Sequence, residues 1–559
     1  MVSRLQYFMF SGVCSLPFSS SVRLSRPCCE NQLRCAATLS QKPVIQIPQQ
    51  MAEKMRKAKL QQRKMERQQF LRKSQEGNRS IPIINCKRKQ LNHYLGQSYS
   101  KFEEVPLASK GWQNRKAAGD YFTIHGYGGN PAFTHLQKGL QEDFDSLGLS
   151  QELLTKIWNL GYKTPTNIQT LAIPQVLEGN NTLIAAETGN GKTLAFVAPM
   201  LQQIAQRKKA FRDNYPMNSP LGLIVVPGRE LAEQIQTIAS SLAEGLGINV
   251  ELVKGGRTKK LMLNPAVTEP HLLVATMGAL SKLTTAGLYD MSLVRHITLD
   301  EADSLLDDSF NDSVIRYLSR FPIQGCSNTE EPEPLVMSGV QLTLVSATTP
   351  RSLHTILDPI VDIDSVVRIS TPYLHHIMPH IPQKFIRVSH MTKAEKLLEL
   401  AKNDARKGVP FIVFSNSAKA SDWVSLYLSE NNIPCVNLNG NMTAALREGR
   451  FEAFQSGQAL GLSCTDLTSR GLDTVRAGHI INFEFPKFMA DYIHRCGRTG
   501  RVGSQMTGHV TSFVHRPQEV ELLQKIEYAA RKREDLPNVN ANIKRIILSK
   551  AVTKDMQIV

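Results

Sequence analysis

The feature that most constrains the fold is a series of short apolar runs that alternate with longer helical patterns from about residue 140 onward. Strands covered on both faces have such runs, because neither side of a buried parallel sheet meets water. The first series comprises TLIAA (182–186), LGLIVVP (221–227), HLLVAT (271–276), HITLD (296–300) and QLTLVSAT (341–348). Strands that alternate with helices predict an α/β fold, with a parallel sheet and helices on both faces.

The series is interrupted near residue 370 and then resumes. The interruption, STPYLHHIMPHIPQK (370–384), contains three prolines and no periodicity, which is typical of a linker. The second series comprises FIVFS (411–415), IPCVNLNG (433–440), LGLSCTD (460–466), HIINFEF (479–485) and HVTSFV (509–514). The sequence therefore predicts two α/β units in tandem. Within the first unit, GCSNTEEPEPLVMSG (325–339) is predicted to be a surface loop.

Positive charge is concentrated near the N-terminus. The formal net charge is +17, and residues 1–140 hold 23 lysines and arginines against 7 acidic residues, whereas the remainder holds 43 against 42. Residues 1–39 combine four arginines and many serines with one acidic residue, which is the composition of a mitochondrial presequence. Two alternatives stay open: a secretory signal, because residues 5–18 are fairly apolar, and an unstructured start without a targeting role.

Residues 40–141 are predicted to be a basic, largely disordered N-terminal extension. Lysine, arginine and glutamine dominate it from about residue 49 to 116. Such a segment is either a solvated helix or spacer without a binding role, or an arm that binds polyanions by releasing counterions from phosphates.

Composition argues against several other classes of protein. The nine cysteines lack paired metal-ligand spacing, so neither a disulfide framework nor a zinc site is expected. No apolar run is long enough to span a bilayer, so no membrane insertion is expected.

The sharpest local motif is AETGNGKT (186–193), which follows an apolar strand and precedes a helical pattern. Gly189 and Gly191 allow the backbone to curl so that its N–H groups face an anion at the helix N-terminus. Lys192 adds a positive charge for β and γ phosphates, and the Thr193 hydroxyl is a candidate Mg²⁺ ligand. Ala186 stands where the general pattern has glycine, and such turns also occur by chance.

A second motif, DEAD (300–303), lies at the end of the predicted strand HITLD. Asp300 is a candidate for holding Mg²⁺ through water, and Glu301 is a candidate for orienting an attacking water molecule. An acidic pair can also be a simple helix N-cap. Its place downstream of a phosphate loop favours the catalytic interpretation.

Together with SAT (346–348), these motifs resemble those of the DEAD-box RNA helicases over residues 142–535. The resemblance implies two RecA-like domains with ATP and Mg²⁺ between them. GYKTPTNIQ (161–169) is similar to the family's adenine-recognising Q motif, so Phe144 would stack on the base and Gln169 would bond to its edge. The implied nucleotide-binding residues also include Ala186, Glu187, Thr188, Gly189, Asn190, Gly191, Lys192, Thr193 and the ribose contact Asp473.

The resemblance also assigns residues to RNA binding, catalysis and domain coupling. The matching segments are PGRELAEQ (227–234), NGNMTAALR (439–447), TDLTSRGLD (465–473) and YIHRCGRTGR (492–501). The implied RNA contacts are Arg229, Gly255, Gly256, Thr276, Arg447 and Thr465. Arg498 and Arg501 would be arginine fingers that complete a catalytic set with Lys192, Asp300 and Glu301. The implied coupling residues are Asp303, Ser346, Thr348 and His494.

The chain departs from the family pattern at several positions. It has Gly228 for Thr, TMGA (276–279) for TPGR, Asn439–Gly440–Asn441 for His-Gly-Asp, Ala444 for Gln, and Asn190 for Ser. None of these changes removes a catalytic residue. Several remove a side-chain contact to RNA or between motifs, so they bear on RNA affinity and domain coupling more than on ATP hydrolysis.

The resemblance implies domain 1 at 142–372, a linker at 373–382, domain 2 at 383–535 and a tail at 536–559. The expected function is an ATP-dependent RNA helicase that unwinds or remodels RNA locally, through largely sequence-independent contacts. The presequence and basic arm make the chain most similar to the family's mitochondrial member associated with the large ribosomal subunit. That implies ribosomal RNA, large-subunit assembly particles and the mitochondrial matrix, with a nuclear or nucleolar pool also open.

Two other functions fit part of the sequence. One is a non-catalytic RNA clamp that uses ATP only to stay closed, and the other is a DNA helicase or related motor. Intact Glu301, Arg498 and Arg501 argue against the clamp, and the adenine-specific Q motif together with the DEAD sequence argues against the DNA motor.

Overall fold

The structure is a computed structural model. It describes residues 51, 54, 58, 82–100, 102–133, 143–211, 214–256, 258–264, 267–306, 311–324, 339–349, 352–466, 474–504, 506–537 and 539. The chain divides into a unit of Met1–Arg79 and a unit of Ser80–Val559. In the first unit, residues 51, 54 and 58 are helical and exposed. The predicted presequence lies outside the described residues, as does nearly all of the predicted loop at 325–339.

Three short strands precede the first predicted domain. They are β1 (Pro82–Cys86), β2 (His93–Tyr94) and β3 (Tyr121–Ile124). β1 pairs antiparallel with both β2 and β3. A short 3-10 turn, Pro131–Phe133, follows them. We call residues 82–133 the N-terminal strap.

Domain 1 contains a parallel seven-stranded sheet in the order β10-β4-β9-β8-β5-β7-β6. Its strands are β4 (Thr182–Ala185), β5 (Gly222–Val226), β6 (Val250–Val253), β7 (Leu272–Thr276), β8 (His296–Asp300), β9 (Gln341–Ser346) and β10 (Val367–Ser370). Every residue of the central strands β5, β7 and β8 is buried, as the uninterrupted apolar runs predict. The two strands that the apolar runs did not reveal, β6 and β10, are the sheet edges, where partial exposure admits polar residues.

Helices cover both faces of this sheet. They are α1 (Gln151–Asn159), α2 (Asn167–Leu177), α3 (Lys192–Lys208), α4 (Arg229–Ala243), α5 (Thr258–Leu263), α6 (Met277–Thr285), α7 (Ala302–Leu305), α8 (Asn311–Leu318) and α9 (Ser352–Leu357). Helix α3 begins inside the phosphate-loop motif that follows β4, and α7 begins inside the DEAD motif that follows β8, so both motifs lie at carboxyl ends of parallel strands. Ligands of open α/β sheets bind at that edge.

Domain 2 repeats the architecture and confirms the predicted tandem α/β fold. Its strands are β11 (Gln383–Arg387), β12 (Phe411–Ser415), β13 (Cys435–Leu438), β14 (Gly461–Thr465), β15 (His479–Asn482) and β16 (His509–Val514). Its helices are α10 (Lys393–Lys407), α11 (Ala418–Glu430), α12 (Ala444–Gln455), α13 (Met489–Cys496) and α14 (Pro517–Lys532). In the part of the chain that the structure describes, no helix is both long and apolar enough to cross a bilayer.

The strap extends the sheet of domain 2, whose full order is β13-β14-β12-β15-β16-β11-β3-β1-β2. Strand β3 pairs antiparallel with β11, and Phe122 stacks on Phe385 with ring centroids 4.8 Å apart. This corrects the expected extent of the disordered extension, because residues 82–133 are largely folded onto domain 2. β1 (PIINC) and β3 (YFTI) each include an exposed residue and β2 has only two residues, so none of them forms an uninterrupted buried apolar run in the sequence.

The segment between the domains contains no helix or strand from residue 373 to 382. Three of its apolar side chains are nevertheless buried: Ile377, Met378 and Ile381 are at most 8% exposed. The linker is therefore packed against the domains rather than extended in solvent, and it can hold the residues around it in place.

Candidate active site

The phosphate-loop motif forms a tight turn between β4 and α3. Gly189 and Gly191 have φ angles of +84° and +77°, in the region that favours glycine. A Cβ atom on Gly191 would lie 2.5 Å from Nε2 of Gln169. The second glycine is thus required both by the backbone angle and by the close approach of Gln169.

Helix α2 holds this loop through its first turn. Gln169 Nε2 donates to the carbonyl of Gly191 at 3.0 Å, and its Oε1 accepts from the backbone N–H of Thr166 at 2.9 Å. The Thr166 hydroxyl donates to the carbonyl of Asn190 at 2.8 Å. A glutamine amide has two donors and two acceptor lone pairs, so Gln169 keeps one of each for a base. The sequence analysis missed Thr166, although a Thr followed by Gln three residues later is a capping-box signal.

Lys192 is half-buried at the start of α3. Its Nζ donates to the carbonyls of Ala186 at 2.7 Å and Glu187 at 3.0 Å. Burial lowers the pKa of Lys192 to about 8, against the opposing influence of nearby carboxylates, chiefly Asp300. A bound phosphate would stabilise the protonated form, since an anion beside a buried ammonium favours its charge.

Asp300 and Glu301 close strand β8 opposite this lysine. Burial raises the pKa of the Asp300 carboxyl to about 7, and the adjacent Glu301 adds to the rise. A buried carboxylate held beside another is destabilised until a cation compensates it. The donor set of Thr193 and Asp300 consists of oxygen atoms, which Mg²⁺ prefers, so these residues fit the predicted metal site.

Domain 2 places two arginines opposite the phosphate loop and the carboxylates of domain 1. Arg498 Nη2 lies 3.4 Å from Glu301 Oε1, and both side chains are at most 14% exposed. Val502 N–H donates to the Gly189 carbonyl at 3.1 Å. A Cβ atom on Gly189 would meet Arg501 Cγ at 2.9 Å, so Arg501 packs directly on the phosphate loop. Two predicted arginine fingers therefore lie at the loop and carboxylates of domain 1.

The four residues predicted to couple the domains meet in one buried cluster. His494 Nε2 lies 3.0 Å from Asp303 Oδ2, and the Thr348 hydroxyl donates to the same oxygen. Ser346 in turn donates its hydroxyl to the Thr348 carbonyl at 2.6 Å. A helix of domain 2 is thus linked to the DEAD and SAT segments of domain 1 through a single carboxylate oxygen.

A cavity of about 240 Å³ lies among these groups. Tyr162 lines it, whereas Phe144 does not and is only 1% exposed. The predicted base-stacking role therefore does not fit Phe144, because its ring packs in the core. Tyr162, within the Q motif, is the aromatic side chain at the cavity. Tyr162 lies in the GYKTPTNIQ segment itself, which is the sequence signal that identifies it.

The remaining predicted nucleotide residues divide into lining and supporting groups. Thr188 and Thr193 line the cavity, whereas Ala186, Glu187 and Asn190 do not. The Glu187 carboxylate instead accepts hydrogen bonds from Asn190 and from the hydroxyl of Thr371, the latter at 2.7 Å, and so braces the loop. Asp473 lies outside the described residues.

Three of the predicted RNA contacts of domain 1, Arg229, Gly255 and Gly256, lie close together. A Cβ atom on Gly255 would be 3.0 Å from Nη2 of Arg229, so the glycine makes room for the guanidinium. Gly256, with φ of +96°, completes this turn. Thr276 lies at the end of β7 and is 8% exposed, so its side chain offers little surface to a ligand.

Domain 2 places Arg447 on α12 and Thr465 at the end of β14. Arg447 Nη1 is 3.3 Å from Glu230 Oε1 of domain 1, and each side chain is 13% exposed. The sequence analysis did not foresee this pair. An RNA phosphate that binds Arg447 would compete with the Glu230 carboxylate.

Comparisons with known proteins agree with this geometry. The DEAD/DEAH box helicase family model matches residues 166–356, and the helicase conserved C-terminal domain model matches residues 392–503. The mouse protein named probable ATP-dependent RNA helicase DDX28 is 36% identical over 522 residues, which cover 90% of this chain and 92% of that protein. Its namesake in Homo sapiens is 34% identical over 513 residues, with 90% and 93% covered.

Two solved structures have a similar fold. S. cerevisiae Dbp5 bound to RNA and ADP BeF3 has a TM-score of 0.58 and 25% identity, and covers 70% of this chain and 94% of its own. Mss116p bound to ssRNA and AMP-PNP has a TM-score of 0.59 and 23% identity, with 72% and 80% covered, and shows the fold alone.

Proposed function

The chain belongs to the DEAD-box family of ATP-dependent RNA helicases and is an RNA-dependent ATPase, and from this premise we propose which residues perform its cycle. The observation that carries the proposal is the 3.4 Å approach of Arg498 in domain 2 to Glu301 in domain 1. It places a guanidinium of one domain beside the candidate water-orienting carboxylate of the other. Such a site is complete only when the two domains meet.

In this proposal domain 1 holds the nucleotide. The backbone N–H groups of the phosphate loop and Lys192 bind the β and γ phosphates, while Tyr162 and the free donor and acceptor of Gln169 face the adenine. Thr193 and Asp300 hold Mg²⁺, which neutralises charge on the phosphates when bound. Glu301 orients the attacking water, and Arg498 and Arg501 stabilise the charge that develops in the transition state.

RNA binds across both domains in the same closed state. The proposed domain 1 contacts are Arg229, Gly255 and Gly256, without the largely buried Thr276, and those of domain 2 are Arg447 and Thr465. Contacts to phosphates and sugars carry no sequence information, so recognition is largely sequence-independent. A strand bent by closure cannot remain in a duplex, which accounts for local unwinding. Hydrolysis releases the arginines from the nucleotide, and the domains reopen.

Steady-state ATP hydrolysis with single-stranded RNA and with DNA of equal length tests this proposal. We expect stimulation by RNA and little by DNA. Equal stimulation would favour the DNA motor, and RNA binding without turnover would favour the non-catalytic clamp.

The finer setting of the activity is also a proposal. Residues 1–39 direct the protein to the mitochondrial matrix, and the RNA is ribosomal, in particles that assemble the large subunit. The arginine-rich, acid-poor composition of residues 1–39 supports the first part, and the basic composition of residues 40–140, with 19 lysines and arginines against 6 acidic residues, supports binding to a large ribonucleoprotein.

A reporter fused to residues 1–39 should enter mitochondria, and a diffuse cytosolic signal would contradict the targeting proposal. Crosslinking of the full chain to RNA in cells, followed by sequencing, should recover ribosomal RNA of the large subunit. Recovery of unrelated transcripts would overturn the ribosomal assignment without affecting the ATPase assignment.

A further inference from the structure

The packed linker at 373–382 contacts the catalytic motifs through histidines. His375 Nε2 accepts the backbone N–H of Thr349, which follows the SAT segment, at 3.1 Å. His376 pairs instead with Asp535 at 2.8 Å, where the aspartate is 68% exposed. His380 lies against the loop that carries Arg498 and Arg501. These contacts fix the position of the linker beside the active site, although the linker has no helix or strand.

His380 contacts the backbone directly before Arg501. Its Nε2 lies 2.9 Å from the carbonyl oxygen of Gly500, between the two finger residues Arg498 and Arg501. A carbonyl can only accept, so Nε2 carries the proton. Burial lowers the pKa of His380, which keeps the ring neutral with its one N–H directed at Gly500.

The absence of a side chain at Gly500 allows His380 to approach its backbone closely. Its φ angle is +64°, and a Cβ atom would lie 2.9 Å from His380 Nε2 and 2.9 Å from Ile381 Cδ1. The backbone just before Arg501 is therefore held by the linker through a hydrogen bond and through close packing. A shift of that backbone would move the Arg501 side chain, whose Cβ and Cγ pack on Gly189 of the phosphate loop.

The linker is itself fixed at this point by the N-terminal strap. The backbone N–H groups of Tyr127 and Gly128 donate to the carbonyl of Pro379 at 2.8 and 3.2 Å. The Tyr127 hydroxyl donates to the carbonyl of Ile377 at 3.4 Å. The strap continues to domain 1, where Asn167 Nδ2 donates to the Pro131 carbonyl at 2.9 Å. His380 thus lies on a segment held from both sides.

We propose that His380 is a positioning residue for ATP hydrolysis, which holds the Gly500 peptide so that Arg501 meets the γ-phosphate in the closed state. The proposal rests on the role proposed above for Arg501. A bland alternative is that His380 is a buried histidine that only stabilises the packing of the linker. The two alternatives differ in whether the loss of His380 acts through Arg501.

Two amide substitutions of different length separate the two alternatives. The amide nitrogen of glutamine reaches about as far as Nε2 of histidine, whereas that of asparagine is too short to reach the Gly500 carbonyl. We expect His380→Asn to lower kcat of RNA-stimulated hydrolysis by about tenfold with KM for ATP little changed, because misplacement of a catalytic group acts on the chemical step. His380→Gln should retain most of the activity. His376→Ala is the matched control in the same linker and should leave kcat unchanged.

A double-mutant cycle with Arg501→Ala completes the test. If His380 acts through Arg501, adding His380→Asn to Arg501→Ala should cause little further loss of kcat. Additive losses, or equal losses for asparagine and glutamine accompanied by equal falls in Tm, would overturn the positioning role. If Arg501→Ala alone retains full kcat, the finger assignment fails instead, so the two failures are distinguishable.

Discussion

The two domains share an architecture, but their sheets differ in which parts of the chain supply the strands. The sheet of domain 1 is formed entirely by the chain from β4 to β10, and all its strands are parallel. The sheet of domain 2 gains three strands from the strap, which precedes domain 1 in the sequence. The chemistry divides in the same way: domain 1 supplies the groups proposed to bind the nucleotide, and domain 2 supplies the guanidinium groups proposed to act on the transition state.

A buried charge pair anchors the strap to domain 2. Glu527 on α14 is fully buried and accepts hydrogen bonds from the backbone N–H groups of Ala108 at 2.6 Å and Ser109 at 2.9 Å. Arg531 donates to Glu527 at 2.8 Å and to the carbonyl of Leu91 at 2.8 Å. Domain 2 therefore depends on residues more than 400 positions away in the sequence, whereas the catalytic core of domain 1 does not. The following predictions test that contrast.

The largest expected effect lies in domain 1, at Lys192. Lys192→Ala should abolish ATP binding, because the ammonium group at the start of α3 that would meet the phosphates is removed. The fold should survive, since burial already disfavours the charged lysine. Titration with a fluorescent ATP analogue measures the affinity, and Lys402→Ala, on the exposed side of α10, is the control. Wild-type affinity in the variant would refute the phosphate-loop assignment.

The next effect concerns the stability of domain 2. Glu527→Ala leaves Arg531 buried without its carboxylate and removes the acceptor for Ser109, so domain 2 should lose about 3–5 kcal/mol. Hydrogen exchange should show faster opening of β3 and α14, with domain 1 unaffected. Glu521→Ala, exposed on the same helix, is the matched control. Equal protection in both variants would mean that the strap does not depend on this pair.

A smaller effect is expected at Glu301, which belongs to domain 1 but faces Arg498. Glu301→Gln should still bind ATP and RNA yet hydrolyse ATP at least about 10²-fold more slowly, because a neutral amide cannot act as a base toward the water. The variant should form a long-lived closed complex on RNA. Single-turnover kinetics gives the rate, with Glu152→Gln on the surface of α1 as control. If turnover is unchanged, a residue other than Glu301 orients the attacking water.

The smallest effect concerns the basic segment that precedes the strap. Deleting residues 40–81 should weaken RNA binding and flatten the slope of log affinity against log salt, by roughly 0.7 for each single-strand phosphate that the segment neutralises in the full chain. ATP affinity should stay the same, because the nucleotide site lies in the folded domains. Equal slopes for the two proteins between low and moderate salt would leave the segment as a spacer.

Much of this organisation was predictable from the sequence. The ten apolar runs mark ten of the strands, because a strand buried on both faces must be apolar along its whole length. The phosphate loop, the DEAD motif, Arg498 and Arg501, which the structure brings to one cavity, were also predictable as a set, since each motif consists of a few residues that lie next to one another in the chain. A motif whose residues are neighbours in the chain can therefore be recognised from the sequence without the fold.

Tertiary structure alone decided the rest. The strap strands show no uninterrupted apolar run, and β11, with which β3 pairs, lies far away in the chain. Tyr162 rather than Phe144 lines the cavity, Arg447 pairs with Glu230, and His380 meets Gly500. Each of these facts is a contact between residues that the sequence separates, and its formation depends on how elements pack against one another. Apolar pattern and motif spacing determine which elements form, whereas packing decides which side chains meet.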